Sequence, residues 1–222
     1  MSAKRVLILG LLILAPIFVF IFISTFGEHH FTLKTYFPEV DDTGEAVTNA
    51  AGDTIFKQIP DFRLTDQEGK VFTKNDLQGK IYVADFFFAR CTGICKKMSS
   101  QLVRVQEAFQ NDTSIQIISI TVNPEHDSAA VLQNYAAMYG ANPAKWSFLT
   151  GPRDAIYSLA TEGFYLPVQQ VEGQQDFIHS EKFMLVDKNH HVRGIYDGTD
   201  PVDVDRLITE IRVLQDGYSK NK

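Results

Sequence analysis

The sequence predicts an α/β domain, a mixed sheet flanked by helices, set behind a single N-terminal apolar helix. Three observations predict it. The runs 81–88 and 115–122 are too continuously apolar for a sheet with one wet face, and they read as strands buried on both faces with parallel neighbours. Between them Met98, Leu102, Val105 and Phe109 recur at helical spacing, which makes strand, helix and strand one βαβ unit. A further helix, a strand, a hairpin and a closing amphipathic helix follow, an order that leaves helices to cover a mixed sheet.

Taken from the start, residues 6–26 are uncharged and almost wholly apolar, and as a helix they are about 31 Å long, enough to span a hydrocarbon core. Lys4 and Arg5 precede the stretch and Glu28 follows it, so the expected orientation leaves the N-terminus in the cytoplasm and the rest on the extracytoplasmic, periplasmic side of the inner membrane. No Ala-x-Ala site follows, which favours an uncleaved single-pass anchor over a signal peptide, with Pro16 a tolerated kink. Residues 1–27 are thus the cytoplasmic start and anchor, 28–54 a polar spacer with turn signals at Asp41-Asp-Thr-Gly44 and Asn49-Ala-Ala-Gly52, and 55–222 the folded domain.

Within that domain, 61–73 reads as two short strands around a Glu68-Gly69 turn, and Gly79-Lys80 ends the turn before the first buried strand. Asp112-Thr-Ser turns the chain into 115–122, after which Asp127 or Ser128 caps a helix through Leu132, Tyr135 and Met138. A short strand at 146–149 and a helix over 153–161 come next. Strands 183–186 and 192–196 flank Asp187-Lys-Asn-His190 as a hairpin, and Val204, Leu207, Ile208, Ile211 and Leu214 mark the last helix. Once Lys4 and Arg5 are set aside, 19 basic residues face 27 acidic ones, a formal −8 for the rest of the chain, which excludes nucleic acid as a partner.

The chemistry sits in the only two cysteines, Cys91 and Cys95, directly behind the first buried strand. A strand-to-helix corner offers backbone N–H groups and a helix dipole that favour thiolate at both positions, with Arg90, Lys96 and Lys97 as nearby cations. A disulfide between them closes so short a loop that it adds little stability, so stapling does not explain the pair. Thioredoxin-type proteins carry two residues between such sulfurs; here Thr92-Gly-Ile94 makes three. At i and i+4 both thiols face one side, where they are able to share a metal ion or join as a disulfide. Soft thiolates select Cu(I), and an imidazole extends the site to Cu(II).

Of six histidines, His29 and His30 lie in the spacer, His126 in a loop, and His190 and His191 at a hairpin tip expected to be solvent-exposed. His179 ends the loop 167–178, and in a thioredoxin-like sheet that loop end lies across from the cysteine corner; position alone leaves ligand and structural roles open. The segment before strand 183–186 lacks the proline with which thioredoxin-type exchangers bind a partner's chain. Met98 is assigned to the core rather than to a metal.

Gly79-Lys80 leading into Phe86-Phe-Phe-Ala-Arg-Cys91-x-x-x-Cys95, then Val122-Asn-Pro-Glu-His-Asp127, Trp146-Ser-Phe-Leu-Thr-Gly151, and Phe177-Ile-His179 before Leu185-Val-Asp187 together resemble the Sco/SenC family over about residues 59–214. Those are membrane-anchored, thioredoxin-fold copper proteins that help assemble the CuA centre of cytochrome c oxidase. The resemblance implies Cys91, Cys95 and His179 as copper ligands, a redox-active Cys91–Cys95 pair, a copper-receiving oxidase subunit as partner, and a thiol reductant or upstream copper donor as another. The family's proline after each cysteine is replaced by Thr92 and Lys96. The expected function is a copper-delivering metallochaperone, a binder with no catalytic residue. Its rivals are a thiol-disulfide reductase acting through Cys91 and Cys95 on the oxidase cysteines, and a redox or copper sensor.

Overall fold

The computed structural model describes residues 3–26, 32–169, 177–178 and 180–220. They form two compact units, divided between Thr32 and Leu33. The first is a helix, α1 (Ala3–Phe26), containing Pro16. Its described side chains, at 4–5 and 11–22, are exposed. Among the described residues no helix is long and apolar enough to cross a membrane.

The second unit opens its sheet with the hairpin β1 (Arg63–Asp66) and β2 (Val71–Thr73). Gly69 holds the turn at φ +80, a conformation open to glycine, while the Asp66 carboxylate accepts the Glu68 and Lys70 N–H groups. The chain continues through β3 (Ile81–Phe87), α2 (Ile94–Ala108), β4 (Ile115–Thr121), α3 (Ala129–Met138) and β5 (Trp146–Thr150). A short helix α4 (Arg153–Ser158) runs into a π-helical turn at Leu159–Gly163. After the small antiparallel pair β6 (Val168–Gln169) and β7 (Phe177–Ile178) come β8 (Lys182–Val186), β9 (Val192–Asp197) and α5 (Pro201–Lys220). The sheet order is β2-β1-β5-β4-β3-β8-β9, with β3, β4 and β5 parallel and the remaining pairs antiparallel. This is the mixed, helix-flanked sheet expected from the sequence.

Every residue of β3 and β4 is buried, because alternate side chains feed two cores. Ile81, Val83 and Phe87 pack with Cys95, Met98, Leu102 and Val105 of α2 and with Leu207 and Ile211 of α5. Tyr82, Ala84 and Phe86 pack on the other face with Ile59, Leu159 and Phe164. Met98 is fully buried in the first core, as its helical spacing requires.

Two expectations need correction. The folded unit begins at Leu33, not at 55, since the polar stretch assigned to a spacer is bound to the domain from within. Leu33 joins the first core, Arg193 donates to the Leu33 and Lys34 carbonyls, and the Tyr36 N–H reaches the Val192 carbonyl at 2.9 Å. A polar composition conceals this, because much of the attachment runs through the segment's backbone N–H and carbonyl groups. The tip of the β8–β9 hairpin also turns inward. His190 is buried, in a left-handed conformation at φ +63, with its ring centroid 6.0 Å from that of Tyr82. The Ile59 N–H caps its carbonyl.

Candidate metal centre

The site forms where β3 ends. The Cys91 N–H donates to the Phe88 carbonyl at 3.2 Å, closing a turn that swings the chain from sheet to helix. Gly93, at the N-cap of α2, has no side chain to satisfy the first helical N–H groups. Sulfur takes that place: the Cys95 N–H points at Cys91 Sγ at 3.4 Å. Both cysteines are free thiols, Cys91 half-buried and Cys95 buried.

Their environments drive the two thiols apart. Burial on its own raises the pKa of Cys91, but the Cys95 thiol and the backbone N–H groups of Cys95, Gly93 and Ile94 all hydrogen-bond to its sulfur and hold it below the ordinary thiol value. Cys95 is pushed up to about 12, first by burial, then by donating its proton to Cys91 and by the charges of Cys91 and Asp85. The expectation of thiolate favoured at both positions is therefore corrected at Cys95: the surroundings favour the thiolate form at Cys91 and oppose it at Cys95. Hydrogen bonds do this rather than Arg90, Lys96 and Lys97, whose side chains are exposed to solvent.

Cys91 and Cys95 open into a cleft of ≈ 470 Å³ with apolar walls that include Phe86, Phe88, Val122 and Leu166. Ser180, Glu181 and Lys182 also line it. His179, the third expected ligand, lies outside the described residues, as do His29 and His30; Ser180, its neighbour in the chain, faces the same cleft as the two thiols. Among the described residues no three of His, Cys, Asp and Glu gather closely enough to hold a metal. Two adjacent sulfurs in an apolar cleft nevertheless suit a soft, thiophilic ion. His126 is exposed and bonded to Asn123 at 3.0 Å, in no relation to this pair.

Comparison with known proteins accords with this arrangement. A family model, SCO1/SenC, matches residues 50–215. The chain belongs to the SCO1/SenC family. It is similar to the SCO1 protein homolog of Bacillus subtilis, at 30% identity over 162 residues, which cover 72% of this chain and 84% of that protein. Among solved structures it is similar to BsSco, a member of the Sco family of cytochrome c oxidase assembly proteins in which a disulfide switch is identified. That match has a TM-score of 0.61 at 30% identity and covers 70% of this chain and 91% of the other. Yeast Sco1 with copper bound matches with a TM-score of 0.55 at 26% identity, covering 70% of this chain and 89% of that one. The sheet is accordingly the thioredoxin-like one of Sco proteins.

In this family member two carboxyl groups near the thiols have roles that the sequence does not disclose. Asp85 sits on the α2-facing side of β3, between Val83 and Phe87, and burial pushes its pKa up to about 7 against the opposing hydrogen bond from Ser119. Ser119 Oγ in turn accepts the Trp146 indole N–H at 2.9 Å. The available signal was a single charge inside an otherwise apolar strand. Of the two residues expected to cap the helix, Ser128 does so, its hydroxyl accepting the Val131 N–H. Asp127 instead accepts the Ala89 N–H at 2.9 Å.

Proposed function

We propose that this protein binds copper at Cys91 and Cys95, with His179 as third ligand, and passes it to the CuA-bearing subunit of cytochrome c oxidase during assembly. The observation that carries this reading is the shared cleft: Cys91, Cys95 within hydrogen-bonding reach of it and the residue following His179 all line one apolar space. Copper in a Sco protein of the same fold, yeast Sco1, supports the choice of metal. Cys91 supplies the first soft ligand, and Cys95 becomes the second on releasing its proton, so uptake of the ion releases protons. Residues 6–26 anchor the protein to the inner membrane, with the folded unit on the extracytoplasmic side, a reading supported by the length of that apolar stretch and the charges flanking it.

The test is titration of the reduced protein with Cu(I), and with Cu(II) followed by its sulfur-to-copper charge-transfer absorption. One copper per chain is expected, lost in Cys91→Ser and in Cys95→Ser, with weakened Cu(II) binding in His179→Ala. Binding unchanged in both cysteine variants would refute the site.

One observation favours a second reading. A thiol of lowered pKa beside one of raised pKa also suits thiol-disulfide exchange, in which Cys91, as thiolate, attacks a partner disulfide and Cys95, on losing its proton, displaces the reduced partner while the pair becomes a disulfide. Such a reductase has no need of the imidazole. His179→Ala that fully restores oxidase assembly in a strain lacking the gene, alongside a Cys91→Ser that does not, would decide for the reductase; failure of both variants favours delivery.

A further inference from the structure

The turn from Phe88 to Cys91 is fastened from a distant part of the chain. In a tight turn the N–H of the second residue has no partner within the turn and ordinarily faces water. Here that residue is Ala89, and its N–H donates to Asp127 Oδ2 at 2.9 Å across 38 residues of sequence. Asp127 is fully buried, and the same oxygen accepts the Thr121 hydroxyl at 2.5 Å. Thr121 Oγ1 accepts the Asn123 N–H at 3.0 Å, and the Asp127 N–H returns to the Asn123 carbonyl at 3.0 Å. The loop after β4 is thereby folded so that a single carboxylate oxygen reaches the loop after β3. One more bond joins the two corners, from the Val122 N–H to the Phe87 carbonyl at 2.8 Å.

We infer that Asp127 is the positioning residue of the thiol corner, clamping the turn that carries Cys91 so that its sulfur stays at the unsatisfied N–H groups opening α2. Helix α2 is held independently, through Met98, Leu102 and Val105 in the core, and Cys95 with it. Cys91 packs only at the edge of that core. It precedes the helix, is half-exposed, and owes its place to the turn. A carboxyl group suits this task because one of its oxygens accepts both donors. The clamp acts on Cys91 alone and leaves Cys95 where the core puts it. The inference rests on the bonds that fasten the turn and on Cys91 serving in the proposed site, as copper ligand or as attacking thiol.

The experiment uses the full chain in detergent, free of copper, with three variants. Asp127→Ala removes the acceptor, Asp127→Asn keeps one oxygen able to accept both donors, and Leu102→Ala destabilises α2 without touching the clamp. Alkylation of Cys91 at pH 7 is timed by mass spectrometry, and the Cys91–Cys95 pair is equilibrated with glutathione buffers. Asp127→Ala is expected to slow Cys91 alkylation about tenfold and to move the glutathione equilibrium about tenfold toward the disulfide, as the bonds that favour the reduced thiolate loosen. Asp127→Asn should restore both to near the parent values, and Leu102→Ala should leave both unmoved while lowering the unfolding midpoint. Parent-like alkylation and equilibrium in Asp127→Ala overturn the inference, as does an equal effect from Leu102→Ala. If Asp127→Ala does not fold, Asp127→Ser, whose hydroxyl stops short of Ala89, carries the same comparison with the same two outcomes. A failure here is distinct from a failure of the copper reading, because no metal enters the measurement.

Discussion

Asp85 makes the stability of this domain depend on pH in a direction opposite to that of most carboxylates. Its carboxyl is buried on the α2-facing side of β3, Ser119 donates a hydrogen bond to it, and its pKa rises from an ordinary 3.8 to about 7. In the unfolded chain the group ionises near 3.8, whereas in the fold it keeps its proton to about 7. A raised folded-state value contributes stability that is fully present below the unfolded value and lost as pH climbs through the folded one. The difference corresponds to about 4 kcal/mol, lost between roughly pH 4 and pH 7 to 8. Asp85→Asn keeps an oxygen to accept the Ser119 hydroxyl and has nothing to titrate. Urea unfolding of the parent and the variant, followed by fluorescence of the buried Trp146 across pH 4.5 to 8.5, isolates the effect as a difference, since all other titrations cancel. The variant should gain on the parent as pH rises, with most of the gain complete by pH 8. A stability difference that stays flat across the range would refute the assignment of a protonated, buried Asp85.

Three further outcomes follow from the same contacts. At pH 7 iodoacetamide should modify Cys91 and leave Cys95 unmodified until strongly alkaline pH, as peptide mapping will read; equal rates at the two cysteines contradict the unequal environments. Leu102→Ala removes a fully buried side chain from the core beneath α2 and should lower the unfolding free energy by about 2–5 kcal/mol in urea titrations. His190 is held below its ordinary value of 6.5 first by burial and then by the Lys74 charge, against the opposing charges of Asp187 and Asp61. A depressed value means stability present above 6.5 and lost as pH falls, so His190→Phe, which keeps a ring against Tyr82, should lose less stability than the parent between pH 7 and pH 5. Parallel loss in the two proteins counts against it.

Much of this protein is written locally. The apolar runs of β3 and β4, the helical spacing of Met98, Leu102 and Val105, and the Gly69 turn depend on neighbours a few residues away, so each element was legible before any contact was known. The thiol pair was legible as well, since its place at a strand-to-helix corner follows from the elements on either side. What those thiols are like was not. Cys91 and Cys95 share one motif, yet burial of one against β3 and exposure of the other to a row of N–H groups move them in opposite directions. Asp127 reaches Ala89 only because parallel pairing of β3 with β4 brings two loops, 38 residues apart, to the same end of the sheet. His190, at a hairpin tip whose sequence predicts exposure, is buried with its carbonyl accepting the Ile59 N–H, while Leu33, in a stretch of spacer-like composition, enters the core. Hydrophobic period and turn chemistry are properties of short windows, and sequence alone determines them. Whether a carboxyl keeps its proton, a thiol loses one or a polar segment docks depends on solvent exclusion and on partners far along the chain, and only the assembled tertiary structure decides that.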